Sequence, residues 1–197
     1  MELLSQGAEA MIFKLEDGNL RKKRQEKTYR LNIIDTKLRK FRTKREFKVL
    51  TKLVDVKVNV PKPLKIYEKE FCFDFEFIEG NILKSVLDKK LLLKAFEEII
   101  KMHNFDVVHG DLTTLNMIEK KGEIFLIDFG LAEFSSDIEQ KAVDLNLFFT
   151  CIKNEHPNLF EMKEKLCSIY EKEAENGSKV IERVQKIEQR GRNKAKD

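Results

Sequence analysis

No part of this 197-residue chain restricts its fold more than residues 109 to 130. They read HGDLTTLN, then a polar turn, then the apolar run IFLI leading into Asp128-Phe129-Gly130. Residues 117–119 and 124–127 predict two short strands joined at Lys121-Gly122, because glycine reaches turn conformations at no steric cost. The order is therefore loop, hairpin and a second carboxylate at a strand end. Phosphoryl transfer from a nucleotide needs one carboxylate to orient or deprotonate the acceptor, and further oxygen ligands to hold magnesium against the phosphates. Asp111, Asn116 and Asp128 supply that set. One Asp in a loop is ordinarily a turn former; the ordered set of three, with strands between, is what points to chemistry.

The front of the chain reads as strands. Segments 3–5, 9–15 and 20–24 are short and punctuated by Gly7 and by Glu16-Asp17-Gly18-Asn19, which predicts an antiparallel meander. One helix is expected there, over 43–53, where Phe47, Leu50, Leu53 and Val54 recur at helical spacing before Pro61-Lys62-Pro63. Phe71, Phe73, Phe75 and Phe77 alternate with Cys72, Asp74, Glu76 and Ile78, the period of a strand with one aromatic face. Beyond Ile82 the pattern turns helical, over 83–87, 91–103, 138–153, 159–175 and 178–189. The fold class is therefore α+β in two lobes. Residues 1–80 form a strand-rich lobe with one helix, residues 81–189 a reduced, mostly helical lobe, and residues 190–197 a basic tail.

Strand alternation places Leu20 and Lys22 on one face of segment 20–24 and Arg21 and Lys23 on the other, although spacing alone leaves Lys23 or Arg24 open as the inward cation. Glu46, on the single helix of this half, is placed to pair with Lys22 and to hold its ammonium where nucleotide phosphates would lie. Net charge is only +4, yet 13 Lys or Arg between Arg21 and Lys48 face Glu26, Asp35 and Glu46. Such a run is either a solvated helix surface or a phosphate or nucleic-acid contact. Cys72, Cys151 and Cys167 follow no metal-ligand spacing and are expected as buried free thiols. His103 and His109 are too poorly spaced for a metal site and read as structural. The chain has no run of about 18 apolar residues and no basic-then-apolar start, so a cytoplasmic protein without a membrane segment is expected.

HGDLTTLN, IDFGLA, KAVDL at 141–145, the basic KTYR and FRTKRE segments and the terminal RGR together resemble the kinase subunit of the KEOPS complex. This is the small atypical Ser/Thr kinase family of the Bud and PRPK type, found in archaea and eukaryotes. The resemblance spans nearly the whole chain. It implies a two-lobed protein-kinase-like fold, ATP and Mg2+ as cofactors, and Asp111 as the catalytic acid-base residue. It also implies Asn116 and Asp128 as metal ligands and Lys22 with Glu46 as the phosphate-positioning pair. By the same resemblance Gly7 lies in the phosphate-covering turn, and backbone near Glu76, Phe77 and Ile78 meets adenine. Implied partners are a Kae-type tRNA threonylcarbamoyltransferase subunit, small KEOPS accessory subunits, and tRNA touched by the basic face and tail.

Departures from ordinary kinases narrow the mechanism. Gly110 stands where regulated kinases carry the Arg that reads a phosphorylated activation loop, and no long activation segment follows Gly130. Constitutive assembly of the active site, or control by a partner, is therefore expected in place of loop phosphorylation. Thr113 replaces the Lys that steadies the moving phosphate in many Ser/Thr kinases, so ATP hydrolysis and autophosphorylation are expected at least as readily as peptide phosphorylation. Asp144 is expected, by analogy with kinases, to anchor the catalytic-loop backbone through its amides. Gly191 is expected to break the last helix and free Arg190, Arg192, Lys194 and Lys196 for phosphate contacts. Two other readings stand beside this one: a small-molecule kinase of the aminoglycoside or choline type, and a nucleic-acid-binding scaffold with a vestigial ATP site.

Overall fold

The computed structural model describes residues 1–7 and 9–194, with side chains described through residue 190. β1 (Glu2–Gln6), β2 (Ala10–Lys14) and β3 (Leu20–Arg24) form the expected meander, followed by α1 (Asn32–Asp55), β4 (Pro63–Tyr67) and β5 (Cys72–Phe75). The five strands make one antiparallel sheet in the order β1-β2-β3-β5-β4. Lys22 pairs with Ile12 on one side and Phe73 on the other, at the middle of the sheet. Leu20, Lys22 and Arg24 are all buried, which is the alternation expected of β3.

α1 starts at Asn32 rather than at residue 43. Its first turns show no apolar stripe, and Ile33 and Ile34 are exposed; what orders them instead is charge. Asp35 is fully buried and accepts from Arg39 at 2.6 Å, with Arg30 at 3.8 Å. The aromatic strand is shorter than its alternation suggests. Phe71 lies in a turn at φ +54° and Phe77 is exposed, leaving Phe73 in the core against Phe47 and Phe75. Cys72 and Asp74 on the other face are buried too, with Asp74 held by Arg21 at 2.6 and 2.8 Å and by the Tyr67 hydroxyl at 3.1 Å.

The second half contains β6 (Asn81–Ile82), α2 (Leu83–Val86), α3 (Lys89–Asn104), β7 (Val107–Val108), β8 (Met117–Lys120), β9 (Glu123–Leu126) and β10 (Glu133–Phe134). α4 (Ile138–Glu155), α5 (Lys163–Glu173) and α6 (Gly177–Lys194) complete it. β6, β8 and β9 form one small sheet, and β7 pairs with β10. The α3 side chain of Phe96 lies 5.9 to 6.1 Å, ring to ring, from Phe148, Phe149 and Tyr170, tying α3, α4 and α5 together. Burying each such ring contributes roughly 1.5–3 kcal/mol.

Two helical expectations need correction. The segment 159–175 is not one helix: a 3-10 helix over Pro157–Met162 precedes α5. Gly191 does not break the last helix, because α6 runs through it to Lys194. A helical glycine costs only about 1 kcal/mol relative to alanine, which good helix formers around it offset. Residues 195–197, including Lys196 of the expected tail, lie outside the described residues. The three thiols are free, but Cys167 is only half-buried.

The basic stretch is also less bare than its composition implies, because its cations meet acids from distant segments. Arg42 reaches Glu9 at 2.8 Å, Lys44 reaches Glu68 at 2.9 Å and Arg45 reaches Glu133 at 3.6 Å.

Candidate active site

The inner face of the sheet and the β8–β9 hairpin enclose a cleft in two chambers that share Ser5, Ile12, Lys22 and Asp128. The first, of about 260 Å³, is walled by apolar side chains such as Leu20, Phe77, Ile78 and Ile118, with Asn116 at its polar end. The second, of about 310 Å³, adds charged side chains of both signs, among them Arg24, Arg42 and Asp111, beside Gly7 and Gly130. An apolar chamber joined to one that carries cations and carboxylates together suits a base at one end and metal-bound phosphates at the other.

A charge cluster sits where the chambers meet. Lys22 Nζ lies 2.6 Å from Glu46 Oε1 and 2.7 Å from Asp128 Oδ1. The other Glu46 oxygen accepts from Arg24 Nη2. Burial works against the Lys22 charge, but Glu46 and Asp128 outweigh it and hold the ammonium pKa above its ordinary value. Desolvation in the cleft opposes the charge of Asp128 although its side chain is more than half exposed, and Lys22 with the Gly130 amide holds its pKa below the ordinary carboxylate value. Asp128 adopts φ +59°, a left-handed conformation costing a residue with a Cβ about 1–2 kcal/mol. Strain of that kind at a strand end aims this carboxylate into the cleft.

The loop after β7 is held from beneath. Asp144 of α4, buried, accepts the backbone N–H of His109 and, at 2.8 Å, that of Gly110, with His103 Nε2 at 3.4 Å. The expected anchoring role thus has its geometry. Burial opposes the Asp144 charge, but the His103 hydrogen bond and the loop amides hold its pKa below the usual range. His109 donates from Nε2 to the Ile127 carbonyl at 3.0 Å and accepts the Asp111 N–H on Nδ1 at 3.3 Å, linking the loop to the strand before Asp128. Gly110 has φ +78°, and a Cβ there would meet the Leu131 carbonyl at 2.8 Å. Asn116 donates from Nδ2 to the Asp111 carbonyl at 2.8 Å and to its carboxylate at 2.9 Å, which leaves Oδ1 as the amide's ligating end.

Asp111, Asn116, Asp128, Lys22 and Glu46 are therefore brought together, and Gly7 reaches the second chamber, where its N–H closes a turn onto the Ala10 carbonyl at 2.9 Å. Glu76, Phe77 and Ile78 all line the first chamber. The Glu76 amide, however, is engaged by the Lys62 carbonyl at 2.9 Å. Sequence reasoning left Arg24 as an alternative to Lys22, whereas both face inward on the same carboxylate; strand parity carried that signal, since positions 20, 22 and 24 share a face. Arg42 was missed, because nothing in its own helix marks it. No cluster of three His, Cys, Asp or Glu suited to a metal occurs among the described residues. The donors at hand are the Asp128 carboxylate and the Asn116 amide oxygen. These hard oxygens fit magnesium, which takes few protein ligands and completes its shell with water and phosphate.

The fold is that of an atypical protein kinase. The Rio2 kinase in its ADP/Mg2+ phosphoaspartate complex from Chaetomium thermophilum superposes with a TM-score of 0.64 at 16% identity, over 82% of this chain and 57% of that one. The family model described as RIO domain matches residues 11–143. The KEOPS complex subunit Bud32 of Pyrococcus abyssi is 39% identical, covering 98% of this chain and 96% of its own length. A "Probable bifunctional tRNA threonylcarbamoyladenosine biosynthesis protein" of Methanobrevibacter smithii is 36% identical over 96% of this chain. The match spans only 36% of that longer protein. The chain belongs to the RIO-domain family of atypical kinases, in its Bud32 branch. No helix among the described residues is long and apolar enough to cross a membrane.

Proposed function

We propose that this chain binds Mg-ATP in the two-chambered cleft and transfers the terminal phosphoryl group to a hydroxyl or to water, as the kinase and ATPase of a KEOPS-type tRNA-modifying assembly. The observation that carries the reading is Lys22 Nζ bridging Glu46 and Asp128 in the same cleft as the Asn116-bound Asp111 carboxylate. Adenine would occupy the apolar chamber against the backbone of Phe77 and Ile78, and the phosphates would reach Lys22 beneath the Gly7 turn. Asn116 and Asp128 would hold magnesium, which neutralises phosphate charge when bound. Asp111 orients the acceptor O–H. As the bond from the terminal phosphorus to the ADP oxygen breaks and the bond to the acceptor oxygen forms, the acceptor's proton passes to the Asp111 carboxylate.

The names of the relatives, a KEOPS complex subunit and a tRNA threonylcarbamoyladenosine biosynthesis protein, support work within a tRNA-modifying assembly; beside the chain we place a Kae-type transferase subunit, small accessory subunits and cytoplasmic tRNA. Within α6, Arg183 is paired to Glu139 and Lys186 to Glu182, while Lys179 is exposed, so a tRNA contact there would draw on Lys179 and on the basic residues from Arg190 onward. The near-full-length match to a Bud32 subunit disfavours an aminoglycoside- or choline-type kinase, and the assembled charge cluster disfavours a vestigial site. The test is ATP turnover and phosphoprotein formation by the wild type, Asp111→Ala and Asp128→Ala, with and without a Kae-type partner and tRNA. Both variants should lose turnover while melting like the wild type. Folded variants that hydrolyse ATP normally would refute the cleft assignment.

A further inference from the structure

Glu46 is the only carboxylate that the buried pair Lys22 and Arg24 share, among the described residues, and Lys22 takes Asp128 as well. Among the described residues Arg24 has no second acid. It is only 4% exposed, and its Nε has no hydrogen-bond partner. A buried guanidinium with an idle donor is costly unless something anionic completes it. Its surroundings say where that anion would sit. Arg24 lines the chamber that holds Asp111, and a Cβ on Gly130 would stand 3.6 Å from Lys22 Nζ and 3.8 Å from Arg24 Nη2. The two cations thus flank the backbone that follows Asp128. Arg42, the third cation of this chamber, is matched by Glu9 at 2.8 Å, so among these three cations Arg24 is the one left with an idle donor.

We infer that Arg24 binds the terminal phosphoryl group of ATP, supplying from β3 the cation that the catalytic loop lacks at Thr113. The inference rests on the proposed Mg-ATP function and adds the residue that distinguishes ATP from ADP. Lys22 serves the phosphates common to both nucleotides; Arg24, on the Asp111 side, meets the one that leaves. Its planar fork, with several N–H donors, can hold Glu46 and a phosphoryl oxygen at once, which lysine cannot do.

The full chain, as the wild type, Arg24→Gln and Arg24→Lys, is titrated calorimetrically with Mg-ADP and with the β,γ-imido analogue of ATP. Turnover at saturating ATP is measured in parallel. Arg24→Gln should weaken the analogue about tenfold with ADP changed less than about threefold, and should lower turnover about a hundredfold. Arg24→Lys keeps a cation on Glu46, so it should melt near the wild type yet remain poor in turnover; it carries the test if the glutamine variant unfolds. Equal weakening of both nucleotides would overturn the inference, since Arg24 would then act through Glu46 on Lys22. Unchanged analogue binding and turnover would overturn it as well. A folded wild type that binds neither nucleotide would sink the Mg-ATP reading itself and this inference with it.

Discussion

Replacing Asp144 by Asn removes one charge and changes almost no volume, so it isolates what that carboxylate does. In the fold it accepts the His109 and Gly110 amides and His103 Nε2 at a site 2% exposed. Hydrogen bonds to a charged acceptor contribute about 1.5–3 kcal/mol each. Asparagine keeps one acceptor oxygen, makes it neutral, and turns an NH2 toward another donor. The expected loss is roughly 3–5 kcal/mol, a large part of the ~5–15 kcal/mol available to a domain. The pH dependence follows from the lowered folded-state pKa of Asp144. A carboxyl whose pKa is depressed by folding contributes fully above its unfolded value, near 3.8, and loses that contribution as pH falls through the folded value. Urea unfolding of the wild type and Asp144→Asn should therefore differ by a constant amount at pH 6 to 8 and converge as pH drops toward and below about 4. Turnover should fall in step, because Asp111 follows Gly110 directly. A variant within about 1 kcal/mol of the wild type at pH 7, or a gap indifferent to acid, would refute the anchoring argument.

The shared carboxylate predicts an order of damage: Glu46→Ala strands the buried Arg24 and leaves Lys22 with Asp128 alone, and should cost about 3–5 kcal/mol, whereas Lys22→Met leaves Arg24 on Glu46 and should cost about 1–3 kcal/mol. Chemical denaturation that found the lysine variant the less stable of the two would contradict this arrangement. Gly110→Ala combines a left-handed backbone penalty of about 1–2 kcal/mol with a collision at Leu131, and should lower both the melting temperature and turnover; normal activity would show that the loop tolerates displacement. The Lys22 contribution should be fully present below the ordinary lysine value of 10.5 and should decline as pH rises from there through the raised folded value. A Lys22-dependent stability loss centred below about pH 10 would argue that the ammonium is not held by these carboxylates.

Residues 109–130 were legible because their information is local. A glycine turn between two short apolar strands closes a hairpin whatever surrounds it, and that brings Asn116 near Asp128. Strand parity in β3 likewise put Leu20, Lys22 and Arg24 on one face. The start of α1 was not legible, because Asn32 to Arg42 buries an aspartate among arginines rather than an apolar stripe, and periodicity sees only apolar faces. Nor could the aromatic alternation show that Phe71 would turn out of the strand and Phe77 would border a cleft; the strand's end is decided by which neighbours pair with it. Charge is where sequence and tertiary structure part most clearly. The chain by itself determined that thirteen cations crowd between Arg21 and Lys48, but only the folded molecule decided which acids meet them, because Glu9, Glu68, Asp74, Asp128 and Glu133 arrive from segments that are distant along the chain. An ion pair depends on separation in space and on burial, neither of which is a property of position in the sequence.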